Sequence, residues 1–532
     1  MVLRRSLLGA ATVVILAGAA WGIRACGAEV DSTAARKAPE GAAAPREYHA
    51  GPGQTYARVI DVPWEKLNPG DTVYIHWRSE KDGGDYHEKV NLTRSGVEGK
   101  PIRIVGVKGP NGERPCLSGK DAITRTEDPD GNSTHFPGNQ QRGVLCFSSR
   151  AHTPDDTPGA SYWEVSGLKI AGARPAYDFT DSFGKKNDYQ RAQAGLGSAG
   201  AGVFIDRGNY LRFLDMELTD NNNGFFASSD NRGNTHRYVH DVTLENSLLY
   251  GNGAPDNASV HNAYVEVANW TVRNNYFGPL VKDSGGSHIK DRGANTIIEG
   301  NIFDGTAVPL FLDPPEYSEG WMDKQPGFDR LTFRNNVLRK DGNLPVNSMD
   351  IICVGFGIYG SFTTVRTVDI SDNTFVISAT QRENWSFNVI DLMARPQVIK
   401  WDDNVFLRYV EEKDAAPSGI VFVAKIDPVD EKTIIDIGPN NYLSGQETLT
   451  RQKEGNGTAT IKGWEGLHIL PAMSRSELEE KLGINLHDVT ASDFGRFNAE
   501  TNAWYKEHKA GASYAPGGAM PPALRVESTS TQ

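Results

Sequence analysis

Helical periodicity is almost absent from this 532-residue chain. Its short apolar runs are β-branched and aromatic with alternation, so its units are built from strands. A basic excess is lacking as well. Lys and Arg number 55 against 67 Asp and Glu, a net charge of −12, which argues against nucleic acid as a partner because that needs a basic footprint. Any acidic substrate must then be met by a local basic patch or a bridging cation. A mean hydropathy of −0.46 excludes a multi-span membrane protein. With 4 cysteines, Cys116 and Cys146 are the one pair expected to join. Cys353, in the apolar run Ile351-Ile-Cys-Val354, is expected as a buried thiol.

What is present is a repeat. Seven segments carry an apolar residue, then an Asn or Asp, then two mostly apolar residues. They are Phe213-Leu-Asp215-Met-Glu-Leu218, Leu244-Glu-Asn246-Ser-Leu-Leu249, Val272-Arg-Asn-Asn275-Tyr-Phe277 and Ile298-Glu-Gly-Asn301-Ile-Phe303, followed by Phe333-Arg-Asn-Asn336-Val-Leu338, Ile370-Ser-Asp-Asn373-Thr-Phe375 and Trp401-Asp-Asp-Asn404-Val-Phe406. Successive Asn/Asp positions lie 31, 29, 26, 35, 37 and 31 residues apart. Recurrence on that scale signals a solenoid, whose units bury their apolar faces only by stacking. Asn suits the tight bend between two strands, because it tolerates left-handed backbone and bonds locally. Stacked in register, such residues can also bond one another along the coil.

The opening of the coil carries further motifs. Gly51-Pro-Gly-Gln-Thr-Tyr56, Leu67-Asn-Pro-Gly-Asp-Thr-Val-Tyr-Ile75 and Lys100-Pro-Ile-Arg-Ile104 resemble the start of bacterial right-handed parallel β-helix proteins of the pectate-lyase-like superfamily. The resemblance covers roughly residues 46 to 410. It implies an all-β, single-stranded right-handed parallel β-helix with loop insertions and a C-terminal cap. It says much less of activity, since that superfamily includes lyases, hydrolases, epimerases and tail-spike adhesins.

Residues 1–26 read as a signal peptide or membrane anchor, with Arg4-Arg5 before an apolar stretch from Leu7 to about Ile23. Export is the expectation: periplasmic, secreted, or held at the cell envelope by that anchor alone. Residues 27–45 read as a linker, 46–455 as the β-helix and 456–532 as a cap and tail, with Ser474-Arg-Ser-Glu477 opening a short helix to Leu482. The chain is expected to act as a monomer.

Two successive coils concentrate the chemistry. If Ala263, Val265 and Val267 point inward, the two-residue period of a strand turns Asn262, Tyr264 and Glu266 outward. Ile289 inward likewise places His288, Lys290 and Arg292 outside. The 26-residue offset from Asn275 to Asn301 carries Asn262 to His288, Tyr264 to Lys290 and Glu266 to Arg292. The next coil adds Asp313 and Glu316, with Asp350 beyond it. Such a face suits an anionic sugar chain. For β-elimination at a uronic acid, a base removes the proton α to the carboxylate while a cation neutralises that carboxylate. Lys290 or His288 is the candidate base, Tyr264 the proton donor, and Arg292 the carboxylate ligand. His261, Asn262, Lys282, Tyr317 and Trp321 are the candidate substrate-binding residues. The plain alternative is that Glu266 and Arg292 form an ordinary cross-strand ion pair, and that His288 simply bonds to Asn262.

This arrangement resembles the calcium-dependent alginate lyase and chondroitin B lyase family. There a Lys lies on one coil and an Arg on the next, before an Asn-bearing turn. Arg292, with Lys290 beside it, falls near that Arg position. The position of the family's Lys falls near Glu266, and no Lys lies between Tyr264 and Asn275. The resemblance therefore carries fold and location, and leaves the mechanism open. It implies Ca2+, for which Glu266, Asp313 and Glu316 are the available hard ligands. Two other functions fit the residues. One is a β-helix glycoside hydrolase pairing Asp313 with Asp350 or Glu316. The other is a non-catalytic sugar-binding surface protein using Tyr264, Tyr317, Trp321 and Trp385. An exported lyase acting on an acidic polysaccharide is the reading the residues favour.

Overall fold

The computed structural model describes residues 44–123, 142–148, 159–174, 200–231, 237–305, 307–318, 320–341, 350–355, 366–378, 387–392, 397–410, 420–425, 433–444, 449–452, 460–470, 473–474 and 476. They wind into a coil whose turns each give one strand to each of three parallel sheets, of thirteen, twelve and eleven strands. Over most of the length, neighbours within a sheet are every third strand of the chain. Parallel crossovers of this kind are right-handed, and the fold is the right-handed parallel β-helix that the family resemblance implied, built on the solenoid signalled by the repeat. Among the described residues no helix is long and apolar enough to cross a membrane.

The inner faces of the three sheets fill one continuous apolar core. Its rings stack along the axis, Phe277 on Phe303 at 4.9 Å and Phe375 on Trp401 at 5.3 Å. Five successive strands of the eleven-stranded sheet matter below. They are β1 (Asn223–Ser228), β2 (Ala263–Glu266), β3 (Ser287–Asp291), β4 (Val308–Leu312) and β5 (Asp350–Val354).

The Asn repeat marks the bend between the thirteen- and twelve-stranded sheets, and it resolves into two slots. The first is left-handed backbone, held by Asp215, Asn246, Asn274, Asn335, Asp372, Asp403 and Asn440 at φ between 51° and 60°, and by Gly300 at 66°. The second slot is a buried ladder. Asn275, Asn301, Asn336, Asn373 and Asn404 each receive the backbone N–H of the rung before through Oδ1, and Asn441 extends the ladder one rung further. Asp215 and Asn246 thus sit one residue ahead of the ladder position, which Ser247 fills on its rung, its hydroxyl accepting from Met216 N–H.

Two sequence expectations change. Cys116, Cys146 and Cys353 are buried thiols, none in a disulfide. Cys116 lies in the twelve-stranded sheet and Cys146 in the eleven-stranded one, so the expected bridge would have to cross between walls. The sheets also continue past residue 455, through Thr460–Lys462 and Leu467–Leu470. The expected helix to Leu482 lies outside the described residues, as do the leader, linker and tail.

Two measurements test this account. Asn336→Ala removes the side-chain bonds to Asn373 Oδ1 and the Ile298 carbonyl and the acceptor for Asn301, while the backbone bond to Asn373 stays. It should cost about 2–3 kcal/mol in chemical denaturation, whereas Asn335→Gly, one residue earlier at φ 52°, should cost almost nothing. In unreduced, denatured protein, Cys116 and Cys146 should both react with a thiol reagent without prior reduction.

Candidate active site

Strands β2, β3 and β4 stack with Tyr264 opposite Lys290 and Lys290 opposite Phe311. Ala263, Val265, Ile289, Leu310 and Leu312 belong to the core, so alternation turns Tyr264, Lys290 and Phe311 to the outer face. On the other side of Tyr264 the same column continues through Phe226 and Phe204, their rings stacked at 5.1 and 5.4 Å. Arg142 lies over Phe204 at 4.6 Å. The lysine ammonium stands 5.5 Å from the Tyr264 ring centre, and the Arg292 guanidinium 5.8 Å.

This face is covered rather than open. After β4 the chain runs Asp313-Pro-Pro-Glu-Tyr-Ser318, where two prolines hold it extended. Glu266 fastens that segment. Its Oε1 accepts from the backbone N–H groups of Glu316 (3.2 Å), Tyr317 (3.1 Å) and Ser318 (2.8 Å), and from the Ser318 hydroxyl (2.5 Å). Burial pushes the Glu266 carboxyl up to about 7, against the pull of these donors.

Beneath the segment lies a ring of charges. The Tyr264 hydroxyl donates to Glu316 Oε2 at 2.7 Å. Arg292 Nη2 stands 3.3 Å from that oxygen and 3.3 Å from Asp313 Oδ2, and Nη1 donates to the Pro314 carbonyl at 2.5 Å. Lys290 Nζ reaches Asp313 Oδ2 at 3.2 Å. Asp313 is fully buried, the Lys290 side chain is 12% exposed and that of Glu316 28%. Burial lowers the Lys290 ammonium, with Asp313 opposing and Arg292 adding to the shift. Burial drives the Tyr264 phenol well up, so it stays protonated at neutral pH. Burial raises Glu316, but the Tyr264 hydroxyl and Arg292 outweigh it and hold the carboxyl below its usual range.

The register foreseen from the 26-residue offset is therefore present, but its exposure is not. Asn262, Glu266, His288 and Arg292 are all buried. Asn262 and His288 do not face outward, because at the start of β2 and β3 the chain is turning a corner and side chains there point toward the core. Asn262 donates to the Gly278 carbonyl and accepts from Asn252. His288 Nδ1 lies 3.0 Å from Asn262 Nδ2, between Phe277 and Phe303. Burial lowers His288 to about 3. The ordinary alternative, a histidine bonded to Asn262, is what the corner holds. His261 is buried beside Tyr264, ring centres 5.7 Å apart. Lys282 is exposed on a turn outside the ring of charges. Trp321 stacks on Tyr238 at 4.2 Å. Tyr317 enters the fastened segment through its backbone, which also accepts from Asn231 N–H.

Arg292 pairs with Asp313 and Glu316 in place of the cross-strand partner Glu266. Glu266, Asp313 and Glu316 do not form a ligand set for Ca2+, which takes six to eight oxygens. Glu266 is spent on the wall, and Asp313 and Glu316 on cations. Among the described residues the one gathering of three such groups, with ligand atoms mutually within 4.8 Å, is Asp350, Cys353 and Asp391. Ser318 and Phe226 were not foreseen. Carrying Tyr264 back one rung finds Phe226, but nothing in the sequence ties Ser318 to Glu266.

No family model matches the chain, and no curated protein matches it by sequence. Among solved structures it is similar to an alginate lyase from Paenibacillus sp. str. FPU-7, 12% identical over 80% of this chain and 99% of that one, TM-score 0.35. It is also similar to a tailspike protein mutant of E. coli bacteriophage HK620 in complex with pentasaccharide (11%, 83% and 69%, TM-score 0.45). A Yersinia enterocolitica Family 28 exopolygalacturonase is a third (11%, 81% and 78%, TM-score 0.32). At these identities the likeness is one of fold alone.

The buried carboxyl of Glu266 sets a pH signature. A carboxyl raised in the folded state favours the protonated fold, so its contribution is full below about 4.5 and is lost as pH rises through about 7. The buried His288, lowered to about 3, acts in the opposite sense below its ordinary 6.5. The difference between variants isolates the glutamate. Glu266→Gln should gain stability relative to the wild type as pH rises from about 4.5 to about 7 and level off above it, measured by urea denaturation across that range.

Proposed function

We propose that the protein is an exported polysaccharide-active enzyme that cleaves an acidic, uronic-acid-containing chain by β-elimination. The observation that carries this reading is the pairing of Tyr264 with Lys290 on adjacent rungs, with Arg292 on the same rim. Neighbouring parallel strands are about 4.8 Å apart, so a base and a proton donor can address adjacent atoms of one sugar.

In this assignment Arg292 binds the substrate carboxylate and stabilises the charge that develops when the α proton leaves. Lys290, its ammonium lowered by burial and by Arg292 against the opposing pull of Asp313, is the base, and in its deprotonated form takes that proton. The electron pair of the broken carbon–hydrogen bond becomes the new carbon–carbon double bond. The β carbon–oxygen bond breaks, and the Tyr264 phenol protonates the departing oxygen. Buried and neutral at its corner, His288 is given no part as base. No step runs through Ca2+.

Lys290→Ala and Tyr264→Phe should each lower turnover on the order of 10²–10⁴-fold without loss of the folded state, against a panel of alginate, pectate, glucuronan and glycosaminoglycans. The check is the ultraviolet absorbance of the unsaturated product. New reducing ends without that absorbance would replace elimination by hydrolysis. Full activity in both variants would remove the assignment altogether.

A further inference from the structure

Two N–H groups at the ring of charges around Tyr264 meet no acceptor among the described residues. Arg292 is 4% exposed, and its Nε–H meets no acceptor among the described residues. His261 is fully buried, and its Nδ1 must accept from the Ser287 backbone N–H at 2.9 Å, because a backbone N–H can only donate. The imidazole proton therefore resides on Nε2, which likewise has no partner among the described residues. Burial keeps the ring neutral, helped by the nearby charges of Lys290 and Arg292. Two buried N–H groups without acceptors, beside two cations and a phenol, match an anionic, acceptor-rich ligand.

One acceptor is already supplied from within. The Glu316 carboxylate takes the Tyr264 hydroxyl at 2.7 Å and stands 3.3 Å from Arg292 Nη2, and at 28% exposure its side chain is the most accessible member of the ring. The clamp from Glu266 holds the backbone of Glu316 and leaves its side chain out of the grip. A rotamer change can therefore release the carboxylate while the wall stays fastened.

We propose that Glu316 is an internal stand-in for the carboxylate of the ligand. An acidic sugar displaces it, takes over its bonds from Tyr264 and Arg292, and gives the N–H groups of His261 and Arg292 the acceptors they lack. This rests on the reading that the site takes an acidic polysaccharide, and it makes Glu316 the residue that sets how strongly the site prefers a charged sugar.

The test uses monosaccharides, which the protein cannot cleave: galacturonate and glucuronate, with glucose as the uncharged control. Binding to the full chain is followed by calorimetry. Glu316→Gln keeps the shape and the acceptor of the side chain but removes the competing charge, and should bind the uronates about three- to tenfold more tightly with glucose unchanged. His261→Asn retains an amide near Nδ1 for Ser287 and loses the distal donor, whereas His261→Gln retains a donor near Nε2. The Asn variant should lose uronate affinity and the Gln variant keep it; a purely structural histidine would show the reverse order. Uronate binding by Glu316→Gln equal to or weaker than that of the wild type would overturn the stand-in role, while polymer cleavage by the wild type would leave the elimination reading intact. No preference for uronate over glucose in the wild type would sink both.

Discussion

Rung-to-rung register is the constraint from which the site follows. A slip of one residue between β2 and β3 would move Lys290 to the core side and bring Ile289 out. Main-chain bonds alone do not forbid such a slip, since every backbone N–H would find another carbonyl. The ladder of buried asparagines does forbid it. Each side chain from Asn275 to Asn404 accepts from a backbone N–H of the rung before and donates to a carbonyl of that same rung. A shifted rung would strand these amides in an apolar core, where an unsatisfied polar group costs about 1–3 kcal/mol.

The second constraint is the wall. An outer sheet face is solvated by default, and charges there are weak partners. The segment from Asp313 to Ser318 changes that by covering Lys290 and Arg292, and it is held down by one buried carboxylate bonded to three backbone N–H groups and a hydroxyl. Covering raises the strength of every interaction beneath it, because the local dielectric falls. It also lowers the Lys290 ammonium, which a solvated strand face would not do. The wall thus turns a row of surface charges into a set of groups with chemical bias.

Much of this was legible in the sequence, and the boundary of legibility has physical causes. Inward Ala263, Val265 and Ile289, and the pairing of Tyr264 with Lys290, follow from a two-residue period and a 26-residue offset, both of which are properties of the chain alone. Asn262 and His288 escaped that logic because they sit where the chain rounds a corner, and alternation holds only within a straight strand. Asp215 and Asn246 matched the Asn pattern while occupying the left-handed slot and not the ladder, since the same residue type serves both needs. The wall could not be read at all. Glu266 and Ser318 lie 52 residues apart, and nothing local to either announces the contact.

The outer column also explains why the proposed chemistry falls on these rungs and not on others. Reading along it, Cys146, Phe204, Phe226 and Tyr264 form an apolar, largely aromatic run, and Lys290 follows directly. Tyr264 is the residue at which the run ends, with an aromatic neighbour on one side and a cation on the other. Its ring is stabilised by stacking on Phe226 and by the cations over its face, while its hydroxyl, at the rim, must find a polar partner. That requirement draws Glu316 to it, and Glu316 in turn brings in Arg292. A position where an apolar column meets a charged one can hold the ring of a sugar against one side and its carboxylate against the other. Further along, Phe311, Cys353 and Asp391 continue the column without a second cation; Arg142 reaches Phe204 and Phe226 from outside the column, whereas at Tyr264 the column's own next residue, Lys290, carries the charge.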